Sequence, residues 1–412
     1  MSRGVLLFIE SNTSGTGRLF IRTAREMGYH PVLVTTRPAK YAFLSGAEAP
    51  EVLLVPGVDE DTLEPLLRAR FGGGVAGITS SSEYFIATAA ALAARFGVPG
   101  PDAASVRAAR DKSWQRRALS EAGLPAPEFR VVASASQAQA AAREIGVPVV
   151  VKPVDGSGSV GVRACGSAAD AGGHAASLLA DAAAAGQAPR VLVEAMVHGP
   201  EFSVEVFSAR VVGITRKHLG RPPWFVEAGH DYPAAVPPAT ARALEDTVIR
   251  ATAVLGLGWG PLHWELRMRG PDAVAIEVNP RLAGGFIPEL VRHAQGIDLI
   301  RETLRLVVGE APEVEPLRHR HASIRFLFAP GEGRLEAVEG VDEARAAEGV
   351  VDVALYRPVG DLLEIRGDFR DRIGHVIACM DGSDDACRAA ERGRDAIRIV
   401  AGEPAGVPQG VA

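Results

Sequence analysis

The sequence is poor in cysteine and in long apolar runs. Its 412 residues include three cysteines, Cys165, Cys379 and Cys387, which are too few for a disulfide framework or a cysteine-based metal cluster. No apolar run approaches the ~20 residues that a membrane-spanning helix needs, and the run Val5–Ile9 is too short for the core of a signal peptide. We therefore expect a cytoplasmic protein with reduced thiols and no membrane partner.

Charge and composition exclude two further classes of protein. The chain has 44 Lys and Arg residues against 50 Asp and Glu, a net charge of −6, and 47% of its residues are hydrophobic. This apolar content is too high for a disordered chain, and the acidic balance argues against a nucleic-acid partner. At ~150 residues per domain, the length predicts two to four domains with filled cores.

Lysine is scarce, since Lys40, Lys112, Lys152 and Lys217 are the only four of the 44 basic residues that are not arginine. Where arginine is the default, a retained lysine indicates a position that a guanidinium cannot fill. A compact ammonium on a flexible stem suits a phosphate group in a tight space. Four residues are a small sample, so their places in the fold are the test of this hypothesis.

The first hundred residues alternate strands with helices. Strands are predicted near residues 4–9, 31–35, 52–55 and 75–79, and helices near 18–27, 62–70 and 87–96. This alternation is typical of a parallel sheet. Serines and Glu83 follow the fourth strand, at the carboxyl end where open α/β sheets bind ligands.

The loop Glu10–Gly17 invites comparison with dinucleotide-binding loops. It offers Gly15 and Gly17, but Phe20 occupies the position of the third glycine, and the acid that would bind the ribose is missing. We therefore expect no dinucleotide site here. The binding of an anionic substrate group at the start of the following helix remains open.

The remainder of the chain is predicted as mixed α+β structure. Residues 97–106 have the composition of a linker, and the next regions predict strands near 130–132, 147–152, 162–165 and 191–194, with helices between them. Beyond Pro200 strands predominate, interrupted by helices at 240–255 and 287–308. The tail is predicted as a small α+β segment closed by a helix over 384–400.

A glycine-rich loop follows an apolar strand that ends at Lys152. The loop, Gly156–Gly161, lies between two strands, unlike a Walker loop, which opens a helix. Its glycines allow backbone N–H groups to close over phosphate oxygens without Cβ clashes. A solvated hairpin loop is the alternative, because Gly/Ser loops are common.

Two carboxylates are predicted to face each other on a hairpin. A three-residue turn at 270–272 would place Glu265 directly opposite Glu277, and His263 opposite Asn279. A turn of even length would set the pair on a diagonal. Facing carboxylates repel, whereas a divalent cation such as Mg²⁺ would join them. The alternative is a solvent-exposed acidic stripe.

Two further carboxylates lie seven residues apart. Glu194 ends a strand and begins the segment Glu194–Val197, whose free backbone groups could serve an adenine edge, and Glu201 could accept from two ribose hydroxyls. Taken alone, each is better interpreted as an ordinary carboxylate at the end of a strand.

These pieces, in this order, resemble the ATP-grasp superfamily. The matching set is Asp111-Lys112, Lys152 with the Gly156–Gly161 loop, Glu194 with Glu201, Glu265, and Glu277-Val-Asn279-Pro-Arg281. The resemblance covers about residues 1–310 and implies an α/β and α+β chain with the ATP-grasp fold. It implies a parallel-sheet domain over 1–100, two α+β lobes over 107–195 and 196–310 that clasp ATP, and a small α+β segment over 311–412. That last segment resembles the C-terminal part of biotin-carboxylase-like members.

The resemblance also implies the nucleotide and metal sites. Lys112 and Lys152 would hold phosphates, Glu194–Val197 the adenine and Glu201 the ribose. The full implied set for ATP is Lys112, Lys152, Gly156, Ser157, Gly158, Ser159, Val160, Gly161, Glu194, Ala195, Met196, Val197, Glu201 and Lys217. Glu265, Glu277 and Asn279 are the implied ligands of two Mg²⁺ ions, for which Mn²⁺ can substitute.

Within the superfamily, the chain is similar to carboxylate–amine ligases of the L-amino acid ligase type. The matching stretches are Phe225–His230 and Asn279–Pro288. By this resemblance Glu227 and His230 line the amino-acid pocket, Arg281 contacts the transferred phosphoryl group, and the turn Gly284-Gly285 shapes the substrate site. A carboxylate beside an imidazole can also act as a base on the amine; the alternative is a surface loop whose acid and histidine are merely solvated. Since Glu227 and His230 stand between prolines, we predict a loop for their segment.

The expected activity is therefore ligation of a carboxylate to an amine, both of them amino acids or related small molecules. An acyl phosphate would form from the acid, and ADP and phosphate would be released. Lys152 and Arg281 would act in catalysis with Glu227 and His230. A biotin-carboxylase-like or purine-pathway ligase is the alternative, and a non-catalytic nucleotide-binding subunit would have lost the metal ligands, which are present here. The sequence leaves the oligomeric state open, with a homodimer as one expectation.

Overall fold

The computed structural model describes residues 3–13, 16–46, 49–220 and 222–402. Within these ranges the chain forms four sheets and twelve α-helices, and none of these helices is both long and apolar enough to cross a membrane. One buried apolar cluster joins Phe8 and Phe20 to Leu290 and Phe326. Residues from the start of the chain thus share a core with residues from its last third.

The N-terminal part forms the parallel sheet that the alternation predicts. Its elements are β1 (Val5–Ile9), α1 (Thr16–Glu26), β2 (His30–Thr35), β3 (Glu51–Leu54), α2 (Glu60–Phe71), β4 (Val75–Thr79) and α3 (Ile86–Phe96). The strand order is β3-β2-β1-β4, and all the pairs are parallel. Because β1 and β4 are neighbours, the polar residues that follow each of them meet at one edge of the sheet.

The predicted linker is only partly a linker, because a short helix, α4 (Ala103–Ala109), begins inside it. The side chain of Asp102 caps this helix by accepting from the Ser105 N–H at 2.7 Å. The next helix, α5 (Lys112–Glu121), is capped in the same way by Asp111. Asp111 and Lys112, which belong to the set that matches the ATP-grasp superfamily, thus stand at the start of a helix. The helix fixes the direction in which the Lys112 side chain points.

The central lobe is a four-stranded antiparallel sheet covered by two helices. Its elements are β5 (Phe129–Val132), α6 (Ala135–Ile145), β6 (Val149–Pro153), β7 (Arg163–Cys165), α7 (Ala168–Ala184) and β8 (Val191–Ala195), with the order β5-β8-β6-β7. Cys165 is fully buried in the core of this lobe. The glycine-rich loop connects β6 to β7.

The rest of the chain forms an eight-stranded sheet and a three-stranded sheet. Its strands are β9 (Glu201–Phe207), β10 (Arg210–Leu219), β11 (Glu227–Tyr232), β12 (Pro261–Arg269), β13 (Asp272–Asn279), β14 (His321–Phe328), β15 (Gly333–Glu339), β16 (Val350–Leu355), β17 (Leu362–Leu363), β18 (Arg372–Met380) and β19 (Arg398–Ala401). Its helices are α8 (Pro238–Val254), α9 (Ile287–Gln295), α10 (Leu299–Val307), α11 (Val341–Ala346) and α12 (Ser383–Ala396).

The tail forms the predicted α+β segment, and it also joins the sheet of the second lobe. The larger sheet has the order β13-β12-β9-β10-β11-β14-β18-β16, so three strands from beyond residue 310 extend the sheet of the second lobe. The smaller sheet, β17-β15-β19, comes from the tail alone. The C-terminal segment therefore reaches the same cleft as the two lobes.

Two helix predictions in this part are wrong in their extent. The helix predicted over 287–308 is broken, because Gly296 ends α9 in the left-handed conformation and Asp298 caps the start of α10. The closing helix ends at Ala396, and the next residues form strand β19 instead. At Gly296 a local turn signal outweighs a continuous amphipathic pattern, whereas after Ala396 the chain becomes extended and pairs with β15.

The β12–β13 hairpin pairs the two carboxylates as predicted, by a different route. The turn has two residues rather than three, since Arg269 pairs with Asp272. A bulge at Ile276 then shifts the register, so that Glu265 faces Glu277 and His263 faces Asn279. An even turn and one bulge together give the pairing that an odd turn would have given.

The segment with Glu227 and His230 is a strand, β11, and not the predicted loop. It lies between β10 and β14. Residues three apart on a regular strand point to opposite faces, but a bulge at Ala228 brings Glu227 and His230 to the same side of the sheet. The nearby prolines bound the strand instead of breaking it.

Candidate active site

A cavity of about 1500 Å³ lies where the N-terminal sheet, both lobes and the C-terminal segment meet. This volume exceeds that of an ordinary small-ligand pocket. The predicted site residues that line it are Lys112, Lys152, Gly156, Ser157, Gly158, Ser159, Val160, Glu194, Ala195, Met196, Val197, Glu201, Lys217, Glu227, Glu265, Glu277, Asn279, Arg281, Gly284 and Gly285. Of the predicted set, Gly161 and His230 are not part of the lining.

The glycine-rich loop forms one wall of the cavity. Gly156, Gly158 and Ser159 have positive φ angles of 103°, 68° and 61°, the region where glycine is favoured because it lacks Cβ. The Lys112 ammonium donates to the Gly156 carbonyl oxygen at 2.8 Å. The loop is therefore tied to the start of helix α5.

The carboxylate of Glu194 is held by two cations. Its Oε1 lies 2.5 Å from the Lys152 Nζ, and its Oε2 accepts from the Arg116 Nε and Nη2 at 3.1 and 3.0 Å. Burial alone would raise the pKa of the Glu194 carboxyl, but Arg116 and Lys152 hold it below its ordinary value. The adenine contact expected of the backbone groups of Glu194–Val197 stays a prediction.

Sequence reasoning missed Arg116, which is fully buried and also donates to the Ile276 carbonyl oxygen. The signal was its spacing, because a residue four positions after Lys112 on helix α5 lies on the same face of the helix. Arg116 thus joins the first lobe to strand β13 of the second.

Lys217 is surrounded by three carboxylates. Its Nζ lies 2.5 Å from Glu227, 2.7 Å from Glu265 and 3.4 Å from Glu201. Burial would lower the pKa of this ammonium, but the three carboxylates raise it well above its ordinary value. A second missed residue, Arg267, pairs with Glu201 at 2.8 Å and donates to the Val197 carbonyl oxygen at 3.0 Å. Glu201 therefore lies between two cations, at the edge of the segment expected to hold adenine.

The predicted metal ligands are close together, and each carboxylate has a lysine. Glu265 pairs with Lys217 at 2.7 Å, and Glu277 pairs with Lys112 at 3.2 Å. Among the described residues, no three His, Cys, Asp or Glu side chains converge as a ready metal site. Two opposed carboxylates with Asn279 two residues further along the same strand form a set of oxygen donors of the kind that Mg²⁺ takes. Their chemistry fits the metal.

Arg281 links the metal-site strand to the N-terminal sheet. Its Nε donates to Glu83 Oε2 at 2.7 Å, and its Nη1 donates to the Leu282 carbonyl oxygen at 3.0 Å. Glu83 also lies 4.0 Å from Arg110. Burial would raise the pKa of the Glu83 carboxyl, but Arg281 and its other partners hold it below its ordinary value. Glu83, which we expected to bind a ligand at the sheet edge, thus orients Arg281, which we expected to contact phosphate.

His230 lies behind the cavity wall. Its ring is fully buried, neither ring nitrogen has a hydrogen-bond partner among the described residues, and Nε2 lies 3.7 Å from Glu227. Burial lowers the pKa of His230 to about 3. A Cβ on Gly285, whose φ is +58°, would stand only 2.5 Å from His230 Nε2. The histidine lies against the glycine turn. It is not part of the cavity lining, although we predicted that it would be.

Glu227 does line the cavity, and a residue of the C-terminal segment binds it. The Arg372 Nη2 lies 2.6 Å from Glu227 Oε2, and its Nε donates to the Glu227 carbonyl oxygen at 3.2 Å. Tyr356, Phe369 and Arg370 from the same segment also line the cavity. No spacing or motif in the sequence signalled these residues.

The N-terminal loop contributes Asn12, Thr13 and Thr16 to the cavity. Gly15 lies outside the described residues, so its role as a loop glycine stays a prediction. Gly17 is explained by packing, because a Cβ there would be 2.2 Å from the Asn12 carbonyl oxygen. Glu10 is buried beneath the loop and accepts from the Thr35 hydroxyl at 2.8 Å.

Comparisons with known proteins agree with this arrangement. Residues 145–289 match the ATP-grasp domain family, and residues 325–402 match the family of L-amino acid ligase C-terminal domain 2. The chain is 37% identical over 399 residues to the protein y4rH of Sinorhizobium fredii, with 96% of this chain and 82% of that one covered. It is 28% identical to carnosine synthase 1 of Gallus gallus over 90% of this chain, but spans only 42% of that protein.

A solved structure has the same fold over nearly the full chain. The L-amino acid ligase from Bacillus licheniformis superposes with a TM-score of 0.83 at 21% identity, covering 98% of this chain and all of that one. At this identity the likeness is one of fold. It includes the C-terminal segment that completes the cavity.

Fold and site together define an ATP-dependent ligase, in which two lobes and a glycine-rich loop enclose paired lysines and opposed carboxylates. The chain belongs to the ATP-grasp superfamily and carries the C-terminal domain of the L-amino acid ligases. It is an enzyme of the ADP-forming class that makes C–N bonds, and its family uses ATP with Mg²⁺. The tail, which we expected to resemble biotin-carboxylase-like members, matches the L-amino acid ligase family model over residues 325–402.

Proposed function

We propose that the enzyme joins the carboxylate of one amino acid, or amino-acid-derived molecule, to the amine of another through an acyl phosphate. The observation that carries this proposal is the contact between Arg372 and Glu227 at 2.6 Å. It joins the segment that matches the L-amino acid ligase domain to the residue predicted for the amino-acid pocket. A guanidinium beside a carboxylate offers complementary charges to a zwitterionic substrate.

The first half of the reaction transfers a phosphoryl group to the acid. In this proposal Lys112 and Lys152 bind phosphate oxygens beside the glycine-rich loop, and Arg281 stabilises the charge on the group in transit. Phosphoryl transfer depends mainly on positioning and charge stabilisation, so no nucleophilic side chain is needed. The amine then attacks the acyl phosphate, and phosphate leaves.

Glu265, Glu277 and Asn279 are the residues that we assign to Mg²⁺, with two ions as the proposed number. When bound, the metal supplies neutralising charge to the phosphate oxygens. Lys217 pairs with Glu265, and Lys112 pairs with Glu277. In this proposal the two lysines hold the carboxylates in position until Mg²⁺ binds between them.

A pairwise screen of the twenty L-amino acids, each as acid and as amine, tests the proposal. Phosphate release with Mg²⁺ and ATP is the first readout, and the amide product is identified by mass spectrometry. We expect ADP and phosphate in equal amounts with the amide. Formation of AMP and pyrophosphate would contradict the mechanism. Formate and bicarbonate belong in the screen, because turnover with either acid alone would favour the purine-pathway or carboxylase alternative.

Glu227 offers a second test, because its proposed role concerns the amino acid and not ATP. Glu227→Ala should raise the KM for the amino acid far more than the KM for ATP. Hydroxylamine intercepts an acyl phosphate without an amine pocket. If Glu227 serves only the acceptor, hydroxamate formation survives while amide formation falls; a fall in both places Glu227 at the acid. The predicted homodimer is a separate question that light scattering answers.

A further inference from the structure

The proposed amide-forming step needs a group that takes a proton from the amine, and the two residues first expected to do so are unsuited. Burial would raise the pKa of the Glu227 carboxyl, but Lys217, His230 and Arg372 hold it far below its ordinary value, so it is a weak base. His230 is fully buried behind Gly285 and is not part of the cavity lining. A base must therefore come from elsewhere in the cavity wall.

A chain of three polar side chains runs from the cavity to the surface of the C-terminal segment. The Tyr356 hydroxyl lies 2.6 Å from His375 Nδ1, and His375 Nε2 lies 2.8 Å from Asp352 Oδ2. Tyr356 lines the cavity, His375 is 1% exposed, and the Asp352 side chain is 50% exposed. The three residues therefore connect the substrate space with solvent.

The hydrogen-bond chemistry fixes the direction of this chain. Because a carboxylate only accepts, the His375 Nε2 must carry the proton that it donates to Asp352. In the neutral ring Nδ1 is then an acceptor, and it receives the Tyr356 hydroxyl proton. The oxygen of Tyr356 keeps lone pairs free for a donor in the cavity, and an ammonium group is such a donor.

We propose that Tyr356, His375 and Asp352 form a proton relay for the amine that attacks the acyl phosphate, an inference that rests on the proposed function. One ammonium proton passes to the Tyr356 oxygen as the Tyr356 hydroxyl proton passes to His375 Nδ1. The amine becomes neutral, and the ring becomes an imidazolium beside the Asp352 carboxylate. Asp352 stabilises this imidazolium through its contact with Nε2, and the Nδ1 proton returns through the Tyr356 hydroxyl to water once the product has left, which restores the neutral ring with its proton on Nε2.

The packing around the relay favours this role over that of a loose surface cluster. Phe286 follows the Gly284-Gly285 turn and stacks on Tyr356 with centroids 6.1 Å apart and an interplanar angle of 7°. Its ring also lies 4.3 Å from that of His375. The turn that shapes the substrate site thus sets the position of Tyr356.

Two further charged or titratable groups act on the relay. Arg372 acts on Tyr356, and His293 of helix α9 acts on Asp352. The His375 partner lowers the pKa of the Asp352 carboxyl, which keeps it ionised and able to accept. Burial and the Asp352 charge raise the pKa of the Tyr356 hydroxyl and Arg372 only partly opposes them, so the tyrosine carries its proton in the resting relay. Neither group competes for the tyrosine proton.

Asp352→Asn and Tyr356→Phe test the relay, with Glu51→Gln as a matched control. Glu51 accepts from His30 Nε2 at the same 2.8 Å, in the N-terminal sheet away from the cavity. Amide formation is measured against pH with the best pair from the screen, and hydroxamate formation is measured with the acid and hydroxylamine. Since hydroxylamine is uncharged at neutral pH, its attack needs no proton removal beforehand.

At neutral pH we expect amide formation to fall ~10²-fold in Tyr356→Phe and ~10-fold in Asp352→Asn, within the range of general base catalysis. Hydroxamate formation should stay within about twofold of wild type in both variants. Alkaline pH should restore most of the lost rate, because the amine is then neutral in solution. Glu51→Gln should match wild type throughout.

The possible failures have different meanings. A pH-independent loss, an equal loss of hydroxamate, or unchanged amide formation in both variants would each overturn the relay. If wild-type enzyme makes no hydroxamate with any acid, the acyl phosphate of the proposed function is wrong instead. Thermal melting of each variant confirms that it is folded before the rates are compared.

Discussion

Three of the four lysines are buried in the cavity wall, which supports the hypothesis drawn from their scarcity. Lys112, Lys152 and Lys217 each contact a carboxylate, whereas Lys40 is exposed near the second strand. A buried cation is costly without a partner. The compact ammonium reaches these partners in spaces that a guanidinium does not fit. At the scale of single residues, the identity of the cation is therefore part of the site.

We expect Lys152→Arg to lose most ligase activity, although the charge is unchanged. The larger fork cannot keep the 2.5 Å contact to Glu194 in a fully buried space beside Arg116. The measurement is kcat/KM for ATP by phosphate release. Lys40→Arg is the control and should match wild type. If both variants behave alike, the lysine count is an accident of composition.

The pH dependence of stability should carry the signature of His230. Burial lowers the pKa of His230 to about 3 in the folded protein, so below its ordinary pKa of ~6.5 only the unfolded chain takes up the proton. Stability is therefore lost as pH falls through this range, at ~1.4 kcal/mol per pH unit for one proton. Urea unfolding between about pH 4 and 6 measures that slope.

His230→Gln should reduce the slope by about this amount, whatever its effect on stability at neutral pH. The control is His319→Gln, because His319 is exposed and its replacement should leave the slope unchanged. A slope that is the same in wild type and in His230→Gln would mean that the ring is protonated when buried.

Single bulges decide which side chains face the cavity at the scale of strands. The bulge at Ile276 brings Glu277 opposite Glu265, and the bulge at Ala228 puts Glu227 and His230 on one side of the sheet. One extra residue reverses the face of every side chain beyond it. The strand pairing is thus as important to the site as the residues themselves.

The Gly284-Gly285 turn gives a matched pair of substitutions. Gly285→Ala should lower the free energy of unfolding by ~1–3 kcal/mol, because its φ of +58° strains a side chain and its Cβ would meet His230 at 2.5 Å. At Gly284 a Cβ meets nothing within 4 Å, so Gly284→Ala should leave stability nearly unchanged. Denaturant unfolding of both variants is the measurement.

A double variant separates the two causes at Gly285. Adding His230→Ala to Gly285→Ala removes the contact but leaves the backbone strain, so part of the loss should be recovered. If the two substitutions are simply additive, the contact with His230 contributes nothing and strain alone explains the effect.

The whole molecule is joined by its largest sheet. Strands β14, β18 and β16 from the C-terminal segment continue the sheet of the second lobe, and one apolar cluster combines Phe8 and Phe20 with Phe326 and Ile377. The regions on either side of residue 310 match different family models, but their strands belong to the same sheet. Tyr356 and Arg372 reach the cavity because of this continuity.

A chain that ends at residue 310 should fail to fold into a stable unit. Loss of the residues after 310 would expose the edge of strand β11 and the apolar face that packs against β14. We expect insoluble product, or a chain without a cooperative thermal transition by circular dichroism. A truncated chain that melts cooperatively would show that the segment is an independent addition.

The sequence alone determined the parallel N-terminal sheet, the lysines, the glycine-rich loop and the carboxylates, because each depends on residue type and local spacing. It also indicated the facing pair Glu265 and Glu277, although through the wrong turn. Only the tertiary structure decided that Arg116 binds Glu194, that His230 lies behind Gly285, and that Tyr356 meets His375. These contacts join residues far apart in the chain, and the packing of helices and strands from different segments sets them, so local spacing can indicate a residue but not its partner.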